Sequence, residues 1–285
     1  MPHAVVIKAF VERETPLHAF QGQTVHGLLH EILFDGLKLD IKHKSNLKPF
    51  STSIYGIKRT KEHMVPPGRF FYMRFTFLED FFLQVFSEKF THKLLEGEDF
   101  DLTLSGAPVR ITHIFVTNES ESPWAGFASY EKLSSKGHET PCQQFTLYFA
   151  TPTAFVETAP GFPKRPVTLP IPAFVMKSLI KAWQAFSPIS IPQEIIPWLE
   201  QGFWVKRLSK FETALHILWE KESSTPLAHV GFKGYVCFGA LKGMPEEARA
   251  WASTLADFAF FSGVGMKTTM GMGMVRRVGE GCKNG

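Results

Sequence analysis

Residues 22–36 read Gly-Gln-Thr-Val-His-Gly-Leu-Leu-His-Glu-Ile-Leu-Phe-Asp-Gly. Val25, Leu28, Leu29, Ile32 and Leu33 fall at i, i+3, i+4, i+7 and i+8, the apolar stripe of an amphipathic helix. Gly22 and Thr24 open this helix and Gly36 closes it. Upstream, residues 4–12 (Ala-Val-Val-Ile-Lys-Ala-Phe-Val-Glu) read as a strand. Downstream, 51–59 and 69–78 read as strands joined by a turn at Pro66-Pro67-Gly68, 80–96 as a helix and 107–117 as a strand. The order is β-α-β-β-α-β, the ferredoxin-like arrangement.

The order then recurs with drift. Residues 143–150 suit a strand, 172–186 a helix, 203–219 and 229–239 strands, 245–260 a helix and 272–278 a last strand. No strict repeat links the halves, so the duplication rests on element order. The Ser-rich stretch 117–139, with a short helix at 123–133, serves as linker, and the Pro-rich stretch 152–172 reads as irregular. The expected fold is α+β: tandem ferredoxin-like (RRM-like) domains at 1–135 and 140–285, each an antiparallel sheet with helices on one face. The 285-residue length fits two such domains.

Hydrophobic residues make up 44% of the chain, enough for full cores, and most of the 28 Phe must lie inside them. The net charge of +4 assigns no partner, but its distribution is uneven. Lys38, Lys42, Lys44, Lys48, Lys58, Arg59 and Lys61 stand against one acid, Asp40. Such an excess attracts polyanions in a salt-dependent way. Cys142, Cys237 and Cys282 are scattered, with neither a disulfide framework nor zinc spacing. The apolar stretch Ala4–Ile7 is too short for a signal peptide and no run reaches membrane-spanning length, so the expected location is cytoplasmic.

Residues 263–273 read Gly-Val-Gly-Met-Lys-Thr-Thr-Met-Gly-Met-Gly, with Arg276 and Arg277 close behind. Gly263, Gly265, Gly271 and Gly273 allow positive φ and close backbone approach. Exposed amides around Lys267 suit an anionic chain. A dinucleotide fingerprint fails, because position 268 is Thr and the loop follows a helix. A nucleotide P-loop fails as well, because Met266 precedes Lys267.

Five elements in order resemble the CRISPR repeat-RNA processing endoribonucleases, the sixth CRISPR-associated protein family within the repeat-associated RNA-binding superfamily. They are Lys48-Pro-Phe-Ser-Thr-Ser53, Phe149-Ala-Thr-Pro-Thr-Ala-Phe155, Leu169-Pro-Ile-Pro172 with the helix ending near Trp183, Gly231-Phe-Lys-Gly234, and the Gly-rich loop. The resemblance implies binding of CRISPR precursor RNA and one cut per repeat. It implies a reaction without metal or other cofactor, in which the ribose 2′-hydroxyl attacks the adjacent phosphate. The products would carry a 2′,3′-cyclic phosphate and a 5′-hydroxyl.

That reaction needs a base, an acid and a cation. The family keeps its active histidine on or just after the first helix, where this chain has His26, His30 and His43. His43 precedes the Lys-Pro-Phe segment as the resemblance requires. Lys48 falls where some members carry an active-site lysine. His30 falls where some carry Tyr, which leaves the division of acid and base open, and Tyr55 is a possible substitute hydroxyl. The expected roles are catalysis by His43 and His30 with Lys48 on the developing charge and His26 one turn before His30. RNA would be held by Gly263, Gly265, Lys267, Gly271, Gly273 and Arg276, with Lys58 and Arg59 from the basic run. The i, i+4 spacing of His26 and His30 can hold a metal, but no third ligand is evident. The alternative function is a non-cutting, repeat-RNA-binding subunit of a CRISPR interference complex. Expected partners are repeat RNA and other proteins of such a complex, with no membrane, in a monomer or homodimer.

Overall fold

The computed structural model describes residues 1–17, 22–34, 47–58, 60–95, 102–104, 106–219 and 227–279. Contacts divide the chain into two compact units. The first holds Met1–Phe127 with Ile217–Leu227 and Thr269–Gly271, and the second holds the remainder. The division at Phe127/Ala128 lies before the expected boundary between 135 and 140.

In chain order the first unit contributes β1 (His3–Val11), β2 (Thr15–Pro16), α1 (Gly22–Phe34), β3 (Phe50–Tyr55), β4 (Met64–Val65) and β5 (Phe70–Phe77). It continues with α2 (Asp80–Leu95), β6 (Leu102–Leu104), β7 (Ala107–Phe115) and β8 (Gly126–Phe127). Its main sheet has the order β3-β5-β1-β7-β6, and its β1, β3, β5 and β7 pairings are antiparallel. With β1, β3, β5 and β7 taken as strands one to four, the order is 2-3-1-4, as the β-α-β-β-α-β reading predicts.

Alternation sets the two faces of that sheet. Phe71, Met73, Phe75 and Phe77 of β5 join the core formed with α1 and α2. All five residues of the predicted α1 stripe are 7% exposed or less. Phe82, Phe86 and Phe90 recur every four residues on α2, and the Phe86 ring lies 5.5 Å from Phe75, 5.2 Å from Phe77 and 5.4 Å from Phe90. Such a buried ring is worth about 1.5–3 kcal/mol. The other face carries Tyr72, Arg74 and Thr76. Arg74 is fully buried: its Nε–H donates to Trp124 O at 2.8 Å and its guanidinium lies over the Trp124 ring. Burial pushes this guanidinium down to about 9, and the nearby Tyr55 acts in the opposite direction. It therefore keeps its charge at neutral pH.

The second unit contributes α3 (Tyr130–Glu139), β9 (Gln144–Thr153), β10 (Phe155–Glu157), β11 (Arg165–Val167), α4 (Pro172–Phe186), α5 (Ile196–Gln201), β12 (Phe203–Trp219), β13 (Leu227–Ala240), α6 (Glu246–Ser262) and β14 (Val275–Gly279). The outer ends of β12 and β13 count with the first unit. The sheet order β12-β13-β9-β14 is again 2-3-1-4. The duplication expected from element order therefore extends to strand topology.

Two local expectations are corrected. The helix expected at 123–133 starts at Tyr130, because Ser129 caps it by accepting the Lys132 N–H. It packs into the second unit, with Tyr130 edge-on to Trp183 at 5.3 Å and Gly137 so close to α6 that a Cβ would stand 2.1 Å from Thr254 Oγ1. The stretch 152–172 is partly regular: β9 runs to Thr153, and β10 pairs with β11. Cys142 is buried, and Ser253 Oγ donates to its Sγ at 2.9 Å.

Candidate functional site

The stripe that buries α1 also fixes what its flank presents. With Val25, Leu28, Leu29, Ile32 and Leu33 turned inward, His26 and His30 stand one turn apart beside the stripe. Their ring centroids are 4.4 Å apart at 69°. Both rings approach Phe50, the first residue of β3, with centroids at 6.4 Å for His26 and 6.1 Å for His30. Phe50 is buried and follows Lys48-Pro49 directly, so the Lys-Pro-Phe segment enters the sheet beside the imidazoles. His30 is exposed, and His26 and Lys48 are half-buried. His43, Arg59 and the lysines at 38, 42 and 44 lie outside the described residues. Lys58 is exposed beyond the end of β3. Tyr55 lies five residues along β3 from Phe50, roughly 16 Å at strand rise, and stacks on Tyr72 at 5.1 Å. It therefore stands apart from the imidazole pair.

Thr269–Gly271, the tip of the Gly-rich loop, counts with the first unit. Thr52 Oγ1 donates to Thr269 O at 2.8 Å. Gly22 opens α1 against the same tip: a Cβ on Gly22 would stand 1.7 Å from Met270 O and 3.1 Å from Gly271 N. The helix that carries His26 and His30 thus begins against the loop tip. The sequence marked Gly22 only as the helix start and Thr52 only as part of the Lys-Pro-Phe segment, with no contact to the loop foreseen for either. The available signal was a glycine at a helix start, where Ser, Thr, Asp or Asn is the ordinary cap.

The remainder of the loop is built into the second unit. Gly263, Gly265 and Gly273 take φ of 66°, 90° and 74°, and Gly271 takes 92°. The Val264 N–H donates to Gly273 O at 3.0 Å, Met266 N–H to Ala154 O at 2.9 Å, and Gly273 N–H to Pro152 O at 3.1 Å. Gly265 N–H donates to Ser178 Oγ at 2.9 Å, and Met274 N–H to Thr151 Oγ1 at 2.9 Å. A Cβ on Gly265 would stand 2.4 Å from Ala154 O, and one on Gly273 2.2 Å from Val264 O. The Thr-Pro-Thr element and the Gly-rich loop are therefore two sides of one packed junction. The expected cradle of free loop amides is corrected at these positions, because those amides donate within the protein. Met272 and Met274 lie buried beneath the loop.

Lys267 is the exposed cation of the loop and takes φ of 57° although it is not glycine. Its carbonyl accepts from Met272 N–H at 3.3 Å. A non-glycine residue in this region is strained by about 1–3 kcal/mol and is held there by its surroundings. Burial, and then the charge of Lys267, hold the imidazole of His229 below its ordinary range. Sequence reading had not marked His229. On β14, Arg277 faces Asp257, 3.5 Å away, and Asp257 also pairs with Lys136 at 2.7 Å. Arg276 lies opposite Tyr148 on β9.

Among the described residues, no group of three or more His, Cys, Asp or Glu side chains could hold a metal ion, and no helix is long and apolar enough to cross a membrane. The His26–His30 pair has the chemistry of proton transfer: two imidazoles one helical turn apart at a protein surface.

Residues 147–275 match the family model described as CRISPR-associated endoribonuclease Cas6. No curated protein sequence matches the chain. Among solved structures, a Thermus thermophilus Cas6 product complex is similar at 27% identity and a TM-score of 0.77, covering 98% of this chain and 100% of that one. A second Thermus thermophilus Cas6 product complex is similar at 24% identity and a TM-score of 0.73, covering 98% of this chain and 99% of the other. A protein described as an RAMP protein binding different RNA substrates shares the fold at 12% identity and a TM-score of 0.59, over 97% of this chain and 100% of that one.

Proposed function

We propose that this Cas6-like chain is an RNA endonuclease that processes CRISPR precursor RNA by cutting once within each repeat. The observation that carries the reading is the junction of α1 with the Gly-rich loop. An imidazole pair, 4.4 Å between centroids, stands on a helix whose first residue backs onto the loop tip at Met270. The family match over 147–275 and the likeness to Cas6 product complexes support the substrate class.

In the proposed reaction one imidazole takes the proton of the ribose 2′-hydroxyl. The 2′-oxygen attacks phosphorus, and the bond from phosphorus to the 5′-oxygen breaks. A second acid protonates that leaving oxygen. His30 and His43 divide these roles, with His26 supporting from the preceding turn, and Lys48 stabilises the charge that builds on the phosphorane oxygens. Because proton transfer and one cation are sufficient, the reaction proceeds without a metal. The products carry a 2′,3′-cyclic phosphate and a 5′-hydroxyl. Lys267, Arg276 and Lys58 hold phosphates and set register. The glycines act by allowing the backbone to close against Pro152–Ala154, which presents Lys267.

The test is incubation of end-labelled repeat RNA with the protein in excess EDTA, followed by analysis of the ends. One cut with a cyclic phosphate supports the enzyme. Binding without cutting would instead make the chain a repeat-binding subunit.

A further inference from the structure

β3 carries one polar side chain in an otherwise apolar row. Strand alternation puts Phe50, Thr52 and Ile54 on the face toward α1 and α2. Their cross-strand partners on β5 are Phe77, Phe75 and Met73, all members of the first unit's core. Phe50 belongs to that core and Ile54 packs against it. Thr52 is 1% exposed. Valine has the same outline and the same preference for strands, so packing alone does not call for a hydroxyl here. A hydroxyl buried among apolar side chains is costly unless it is bonded. The bond is made 217 residues further along the chain, where Thr52 Oγ1 donates to Thr269 O at 2.8 Å.

The acceptor is part of a defined turn. Thr268–Met270 form a short 3₁₀ helix at the loop tip, and Met272 N–H donates to Lys267 O across it at 3.3 Å. Two consecutive carbonyls of this turn meet β3 and α1. Thr269 O takes the Thr52 hydroxyl, and Met270 O lies against Gly22, the first residue of α1. His26 stands about one turn beyond Gly22 and His30 about two. Phe50, roughly 7 Å from Thr52 along the strand, meets both imidazole rings. One strand face therefore seats the imidazoles with Phe50 and holds the loop tip with Thr52. The tip in turn abuts the start of the helix that bears the imidazoles. These contacts all lie within the first unit.

We propose that Thr52 is a positioning residue for cleavage: its hydroxyl fixes the loop tip, and the tip fixes the first turn of α1 and with it the imidazole pair. Thr52 acts through the tip and not on the RNA. The proposal rests on the reading of this chain as a repeat-RNA endonuclease for the reaction, and on the Thr52–Thr269 bond for the residue. Lys267 precedes Thr269 by two residues, so RNA held at Lys267 bears on the same tip, and contact there is linked to the placing of the imidazoles. Loss of the bond lowers the rate of the cut and not the affinity, because the groups that hold phosphate remain.

The experiment compares the wild type with Thr52→Val, which keeps the shape and loses the hydroxyl, and Thr52→Ser, which keeps the hydroxyl. Thr52→Ala completes a second pair with Thr52→Ser: both lose the methyl and only Ala loses the hydroxyl, so the contrast survives if Thr52→Val melts too low to assay. Single-turnover cleavage of end-labelled repeat RNA at saturating protein is measured beside binding of a repeat with a 2′-deoxy nucleotide at the cut. Thr52→Val slows the cut by about ten- to a hundred-fold, the range expected when reacting groups are misplaced by about 1 Å, and leaves binding little changed. Thr52→Ser cuts close to the wild-type rate. In the free proteins, the His26 and His30 ring signals in histidine NMR move in Thr52→Val and stay in place in Thr52→Ser, while those of His113 on β7 move in neither. A wild-type rate in Thr52→Val, an equal loss in Thr52→Val and Thr52→Ser, or a loss of binding in step with the rate overturns the proposal. If the wild type does not cut repeat RNA, the processing reading falls and the ring signals decide: the stated pattern supports the positioning role, and unmoved His26 and His30 signals in Thr52→Val overturn it.

Discussion

The imidazole rings of His26 and His30 stand 4.4 Å apart, centroid to centroid, on successive turns of α1, and both lean on the Phe50 ring. Phe50 anchors the Lys-Pro-Phe segment in the sheet, so Lys48 and the two histidines are placed by the same buried ring. In the proposed reaction, replacing His30 by Ala removes a proton-transfer group and leaves the core stripe untouched. Cleavage of repeat RNA should slow by about 10²- to 10⁴-fold, with binding changed little. Single-turnover rates beside equilibrium binding separate the two effects.

Gly22 and Gly27 lie on the same helix and should respond in opposite directions to Ala. A Cβ at Gly22 meets Met270 O at 1.7 Å, whereas one at Gly27 meets nothing within 4 Å. Gly22→Ala should destabilise by about 1–3 kcal/mol as helix start and loop tip move apart, and should weaken both RNA binding and cleavage. Gly27→Ala should stabilise by about 0.5–1 kcal/mol. Denaturant melts of the two variants check the contrast.

Lys267 combines an exposed charge with a left-handed backbone. Lys267→Ala should weaken repeat binding and reduce the salt slope by about one phosphate contact. Lys267→Gly should lose the same charge while relieving the backbone, and should therefore melt higher than Lys267→Ala. Gly265→Val should be worse than either for folding, since it meets both a φ of 90° and Ala154 O at 2.4 Å. Salt-dependent binding curves with melting temperatures distinguish charge from conformation.

Burial lowers the affinity of His3 and His229 for protons; Lys267 adds to this at His229, while Asp80 acts the other way at His3. The unfolded chain then binds more protons than the folded one as pH falls below the ordinary histidine value. Stability is therefore full above that value and declines as pH falls through the lowered ones. His3→Gln and His229→Gln should each flatten the decline. Urea midpoints at about pH 7.5 and pH 5, with the wild type losing more than either variant, are the check.

The parts of the fold written in local periodicity were legible in the sequence. The α1 stripe is buried residue for residue, and two β-α-β-β-α-β runs became two sheets of 2-3-1-4 order. The Pro-rich stretch concealed the β10–β11 hairpin, because prolines erase the alternation that marks a strand. The Gly-rich loop was legible as a special backbone, but its use was not. Sequence suggested open amides, whereas the glycines allow the loop to close on Pro152–Ala154, more than a hundred residues away in the chain.

The most direct test of the central claim is cleavage of end-labelled repeat RNA in excess EDTA by the wild type and by a His26→Ala/His30→Ala variant. The account predicts a single wild-type cut ending in a 2′,3′-cyclic phosphate, and a variant that binds the same RNA yet cuts at least a hundred-fold more slowly, the lower bound expected for lost acid–base catalysis. Cleavage abolished by EDTA, products with a 3′-hydroxyl, or an undiminished rate in the variant would contradict it.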